Sequence, residues 1–120
     1  MYTKEEQKLI EKIERILPKL AEGRPCSVCT SFWKNVPATQ VVKILSNTHP
    51  DVEYMLPNLI PVCDKCAEFM PQDLDNFVQF KAVRHRQAKG SFNGRCIARG
   101  ITKLQGLKNI YKELKEQVLL

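Results

Sequence analysis

Cys26-Ser27-Val28-Cys29 and, further along, Cys63-Asp64-Lys65-Cys66 are two copies of the C-x-x-C pattern, and the rest of the chain is best read outward from them. A thiolate sulfur sits about 2.3 Å from a tetrahedral zinc, and a two-residue spacer lets one tight turn present two sulfurs at that distance. Two such turns close a four-thiolate set, so the pairs predict one structural Zn2+ held by Cys26, Cys29, Cys63 and Cys66. Four protein ligands leave no position for a water, so this zinc is expected to act as scaffold. Two disulfides or four buried thiols are the alternative, and a lone C-x-x-C can also serve redox chemistry. The polar start, Met1 to Lys8, is unlike a signal peptide, which points to the cytoplasm, or to the nucleus of a eukaryotic source. Thiols stay reduced there, favouring metal over disulfide. Cys96, outside both pairs, is expected to be a packed thiol.

At 120 residues and 43% hydrophobic content, the chain is expected to form one domain, 1–120. Its parts are an N-terminal helix (1–23), a zinc module (24–70) and a basic helical extension (71–120). A closed zinc site can contribute about 10–16 kcal/mol of apparent binding energy to so modest a core. No apolar run approaches the roughly 18 residues that span a bilayer.

Thr3-Lys4-Glu5-Glu6 has the form of a capping box, predicting a helix from about residue 4. Ile10, Ile13, Leu17 and Leu20 make its apolar stripe, Pro18 should kink it, and Gly23 and Pro25 end it. The stripe can dock on the core or form a homodimer. Phe32 and Trp33 directly follow the first metal turn and are expected to shield the metal from water. Val41, Val42, Ile44 and Leu45 suggest a strand or a short buried helix, and Ser46 to Asp51 has turn chemistry. A helix should start near Cys63 and stop by Pro71. Asp73 is a candidate N-cap for the next helix, through about residue 88, with Leu74, Phe77, Val78, Phe80 and Val83 on its apolar face. Residues 90–101 hold three of the five glycines and suggest a loop or tight hairpin. Thr102-Lys103-Leu104-Gln105 is a second capping box, and Leu104, Leu107, Tyr111, Leu114 and Val118 form a heptad-like seam behind it. That helix should pack on the domain, against the N-terminal helix.

The net charge is +6, but it is unevenly placed. From Asn76 to Lys112 there is no Asp or Glu and nine Lys or Arg, so this stretch carries +9 and the remainder −3. Local basicity is what a polyanion-binding face needs. Lys81, Arg84, Arg86, Lys89, Arg95, Arg99 and Lys103 are the candidate nucleic-acid contacts, with His85 among them. A solvated surface, or one matching an acidic protein partner, is the competing explanation.

The stretch Asn58-Leu-Ile-Pro-Val-Cys-Asp-Lys-Cys66 resembles the end of the HNH endonuclease motif, in which Asn-Leu precedes a C-x-x-C that opens a helix. With Cys26–Cys29 as the upstream turn, residues 24–70, about 40% of the chain, resemble a zinc-bearing HNH module of treble-clef type. The resemblance implies an acid and a general-base His at the end of the strand after the first cysteine pair, and a second His after the last cysteine. Those positions hold Val42, Lys43 and Ala67 here, and only Asn58 of the signature residues is present. A lysine with its pKa near about 10.4 is a poor base at neutral pH. His49, with Asp51 as metal ligand, is the substitute that could restore catalysis.

These features predict a small α-rich α+β zinc-binding domain, with a treble-clef, HNH-like centre and flanking N- and C-terminal helices. The leading expectation is a non-catalytic nucleic-acid-binding protein of regulatory or accessory type, with DNA the first candidate ligand and RNA the second. The alternatives are an active HNH-type nuclease using His49 and Asn58, and an adaptor or inhibitor, such as a phage encodes, that binds a nucleic-acid-handling protein.

Overall fold

Thr3 opens the first helix, α1 (Lys4–Ile16), as its sequence predicts: Thr3 Oγ1 accepts from the Glu6 amide at 3.2 Å, and Glu6 Oε1 accepts from the Thr3 amide at 3.0 Å. A computed structural model of the chain describes residues 2–73 and 77–118. Leu9 and Ile13 face the core from α1, and at Pro18 the chain tightens into a 3₁₀ turn, Leu17–Ala21, that buries Leu17 and Leu20. Pro18 has no amide hydrogen to donate, so the α-helical ladder is interrupted there and the chain continues in tighter form. Gly23, at φ +74°, then turns the backbone away.

The last helix, α7 (Lys103–Val118), is opened by Thr102, whose Oγ1 accepts from the Gln105 amide at 3.1 Å. It packs along α1 and buries Leu107 and Leu114. The Lys103 ammonium lies 5.5 Å from the Tyr2 ring at the start of α1, and Arg24, beyond its end, donates to the Gln117 carbonyl at 3.3 Å. The two helices therefore run side by side in the same direction. Their apolar stripes, on which the homodimer expectation rests, are covered within the chain.

Strands β1 (Gln40–Lys43) and β2 (Leu59–Val62) pair antiparallel, Gln40 opposite Val62 and Lys43 opposite Leu59. Between them come a short helix, α3 (Pro50–Glu53), and a 3₁₀ turn, Leu56–Asn58. Successive side chains of a strand point to opposite faces. Val41 and Leu59 accordingly join a cluster with α1 and α7, while Val42, Ile60 and Val62 join a second one around the cysteines. The small sheet is thus the partition between two apolar cores.

Helix α4 (Asp64–Asp73) follows β2 directly. It does not stop by Pro71, whose missing donor falls two residues before the helix end. Asp73 is the last residue of α4, and the helix start it is expected to cap, from Leu74, lies outside the described residues. Helix α5 (Gln79–Gln87) follows, with Val83 fully buried, Phe77 and Phe80 half-buried, and Val78, expected on the apolar face, 90% exposed. Gly90, at φ +98°, ends that segment. The following stretch is a helix, α6 (Phe92–Ala98), where a loop or hairpin was expected. Ser91 caps it, its Oγ accepting from the Gly94 amide at 3.0 Å. Phe92 and Cys96, one turn apart, give it a buried stripe that fits against Gly106 of α7, where a Cβ would come within 2.9 Å of both side chains. The glycines 90 and 100 bound this helix and do not dissolve it.

Candidate metal centre and basic face

Cys26 sits at the N-cap of a one-turn helix, α2 (Ser27–Ser31), and its sulfur accepts from the Cys29 amide at 3.4 Å. Cys63 directly follows β2 and Cys66 lies in the first turn of α4, so the first cysteine turn and this helix start meet in the cluster on one face of the sheet. Thr39 Oγ1 and Gln40 Nε2 donate to Asp64 at 2.6 and 2.8 Å, which anchors the start of α4 beside β1 and holds the Asp64 carboxyl below its usual pKa. An acid at this position also suits the helix dipole.

The four sulfurs lie within 4.8 Å of one another, with Cys29 3.5 Å from Cys66 and 3.9 Å from Cys63. A disulfide needs about 2.05 Å. A tetrahedron of thiolates at zinc-ligand distance has edges of about 3.8 Å. The four cysteines are positioned to bind one metal ion, and no other group of three or more His, Cys, Asp or Glu among the described residues is so placed. Burial pushes the Cys66 thiol up, and the neighbouring Cys63 thiol adds to the shift. Burial also works against ionising Cys26, but hydrogen bonds from the Cys29 and Cys63 backbone and from the Cys29 and Cys66 thiols together outweigh it and bring the thiol down to about 7. Four sulfurs packed this closely cannot all carry charge unless a cation sits among them, which is what a metal supplies.

Phe32 and Trp33 do not shield this centre: they are 69% and 97% exposed. The end of α2 forms a Schellman turn, in which the Lys34 amide donates to Cys29 O at 2.9 Å and the Trp33 amide to Thr30 O at 3.1 Å. Trp33 takes the left-handed position, φ +62°, which turns its side chain outward.

Lys43, where the HNH resemblance implies a base, is held in a structural network. Its ammonium lies 2.8 Å from Glu14, 3.4 Å from Glu53 and 5.0 Å from the Tyr54 ring. Tyr54 Oη also donates to Glu14 at 2.5 Å. Burial raises the Glu14 pKa, but the hydrogen bonds from Lys43 and Tyr54 prevail and hold it low; burial and Glu14 push Tyr54 up. Nothing in the sequence pattern marks this network, since Glu14 lies on the polar side of α1 and its partners are remote in sequence.

Asn58 is fully buried. Its Nδ2 donates to Leu45 O at 2.9 Å and Glu53 O at 2.8 Å, and its Oδ1 accepts from Leu45 N at 2.8 Å. It pins the β1–β2 connection. His49 is exposed at the start of α3, and the Asp51 carboxylate is engaged by both Nε and Nη2 of Arg95. The carboxylate that catalysis through His49 would use as a metal ligand is therefore held in an ion pair.

Of the predicted basic contacts, Lys81, Arg84, Arg86 and Lys89 are exposed on or just after α5, and Arg99 is exposed after α6. Arg95 stands apart: its side chain is 13% exposed, and it also donates to the Gly90 carbonyl. It is a tie between α3, α6 and the end of α5. Lys103 is half-buried against Tyr2. Cys96 is packed, as expected.

No family model, curated protein or solved structure matches the chain. Among the described residues, no helix is long and apolar enough to cross a membrane.

Proposed function

We propose that this chain is a non-catalytic, zinc-stabilised nucleic-acid-binding protein of regulatory or accessory type, built on an HNH-like treble-clef centre. Zinc is the metal that best suits four thiolates in a closed tetrahedral set. The order of a cysteine turn, an antiparallel strand pair and a cysteine-bearing helix supports the treble-clef assignment. The engagement of Lys43, Asn58 and Asp51 in structural bonds supports a scaffold without nuclease chemistry.

The observation that carries the binding assignment is the acid-free stretch from Asn76 to Lys112, whose Lys81, Arg84, Arg86, Lys89 and Arg99 stand exposed. Five neutralised phosphates give a log–log salt slope of about −4.5 on duplex and about −3.5 on single strands. Affinity for either strand form should then fall about 100- to 500-fold over a fourfold rise in salt. A gel-shift titration with and without magnesium tests this. Arg84→Glu with Arg86→Glu should flatten the slope and spare the fold. Cut strands in the magnesium lanes would replace the proposal with a nuclease; no shift at low salt would replace it with an acidic protein partner.

A further inference from the structure

We propose that Phe32 and Trp33 form a base-stacking element that takes the unpaired bases of single-stranded nucleic acid. The proposal deepens the nucleic-acid assignment above and rests on it. Trp33 occupies the position after a helix end where the backbone must be left-handed, a conformation glycine adopts without strain and a bulky residue does not. Its φ is +62°, and its ring is 97% exposed, so packing returns nothing for that strain. Phe32 beside it is 69% exposed. An aromatic held at a conformational cost and left in water has a use outside the fold.

The surroundings indicate what the rings meet. Between Glu22 and Asp51 there is no acidic residue; Lys43 is paired with Glu14 and Glu53 and Arg24 donates to the Gln117 carbonyl, so the cation presented beside the rings is exposed Lys34, which directly follows Trp33. A cationic segment presenting aromatic faces is the pairing that single-strand binders use, the cations tracking the backbone and the rings stacking on successive bases. Helix α5, which carries the exposed Lys81, Arg84 and Arg86, packs through Val83 on the same apolar cluster as Cys26 and Cys29. The rings and the basic helix thus belong to one half of the molecule. The two rings protrude from a turn, and stacking asks only for a flat partner. Duplex bases are already stacked on one another, so single strands are the fitting ligand.

Trp33 is the only tryptophan, so its fluorescence reports this site alone. The full chain, purified with zinc, is titrated with a short mixed-sequence single strand and with its duplex. Quenching by the single strand and little by the duplex is expected. Trp33→Gly should weaken single-strand binding about 5- to 150-fold, the effect of losing one stacked base. Glycine is the residue this turn prefers, so the variant should keep its metal content and melt no earlier than the parent. Strand binding with unchanged emission and with Trp33→Gly as tight as the parent would overturn the stacking proposal while leaving the basic-face assignment standing. No binding of any strand by the parent at low salt would overturn both. Emission that responds to protein dilution or to anionic vesicles, but not to strands, would overturn it in favour of a second copy or a lipid surface.

Discussion

Replacing Asn58 by alanine should destabilise the protein by about 3 kcal/mol. The figure follows from three side-chain hydrogen bonds, two donated to Leu45 O and Glu53 O and one accepted from Leu45 N, around a fully buried amide. Each such bond contributes about 1 kcal/mol net, and a buried partner left unpaired costs about 1–3 kcal/mol more. The three bonds alone give the lower figure, and any unpaired Leu45 or Glu53 group adds to it. The main-chain bonds at this residue, from Asn58 N to Met55 O and from Ile44 N to Asn58 O, survive the substitution, so the turn itself should persist. Urea unfolding at fixed zinc concentration is the assay, because a metal that binds only the native state adds stability of its own. With a slope of about 2 kcal/mol per molar, the midpoint should fall by about 1.5 M. A midpoint within experimental error of the parent would refute the structural role of Asn58. It would return this residue to the candidate catalytic set that the sequence resemblance to the HNH motif implies.

Cys63→Ser should lose the bound metal and unfold the cysteine-lined core; a folded variant that still carries one zinc by elemental analysis would disprove the four-thiolate assignment. A strong chelator should mimic it, melting the parent and leaving Cys63→Ser unchanged. Acid should loosen the Glu14–Lys43–Tyr54 network. The folded pKa of Glu14 lies below its unfolded value, so its stabilisation is present above that unfolded value, about 4.3, and is lost as pH falls through the lower folded one. Glu14→Gln should flatten the acid limb of the stability curve, and an unaltered limb would show that the network does not couple to folding.

How much of this was legible in the sequence depends on how far apart the partners lie along the chain. The capping box at Thr3 and the pairing of cysteines at two-residue spacing are local codes that appear in the structure as written, and at Thr102 the N-cap half appears while the Gln105 side chain bonds Asn109 instead. The stripes of α1 and α7 are periodic, and they meet each other as the pattern asks. Helix α6 was missed because its glycines outweighed a short pattern: only Phe92 and Cys96 mark its buried side, and what makes that side work is Gly106, remote in the chain. The roles of Lys43 and Arg95 were illegible for the same reason. Lys43 meets Glu14 from α1, and Arg95 meets Asp51 from α3. A composition count treats both cations alike with the exposed ones, because charge is a property of the residue and pairing a property of the fold. Phe32 and Trp33 were misplaced by a different error. Their nearness to the cysteines suggested a lid, but the Schellman turn at the end of α2 reverses the chain and points Trp33 outward.

The two apolar cores make the candidate metal centre more than a local staple. The core between α1, α6 and α7 is lined by Leu9, Ile13, Leu107 and Leu114, large side chains that bury without help. The other is lined by Cys26, Cys29, Cys63, Ile44, Val52, Ile60, Val62 and Val83, and three of those eight groups are thiols. Burying a thiol contributes less than burying a leucine, so this second core has little apolar area to spend on ordering what surrounds it. Yet it is the core on which α5 rests, through Val83, Phe77 and Phe80, with the exposed Lys81, Arg84 and Arg86 on its outer side. A metal joining the four sulfurs links the Cys26 turn, the end of β2 and the start of α4 at one point, and α5 packs on that junction. Under the proposed function, metal loading therefore governs binding through the placement of the basic helix, although no ligand of the metal touches nucleic acid.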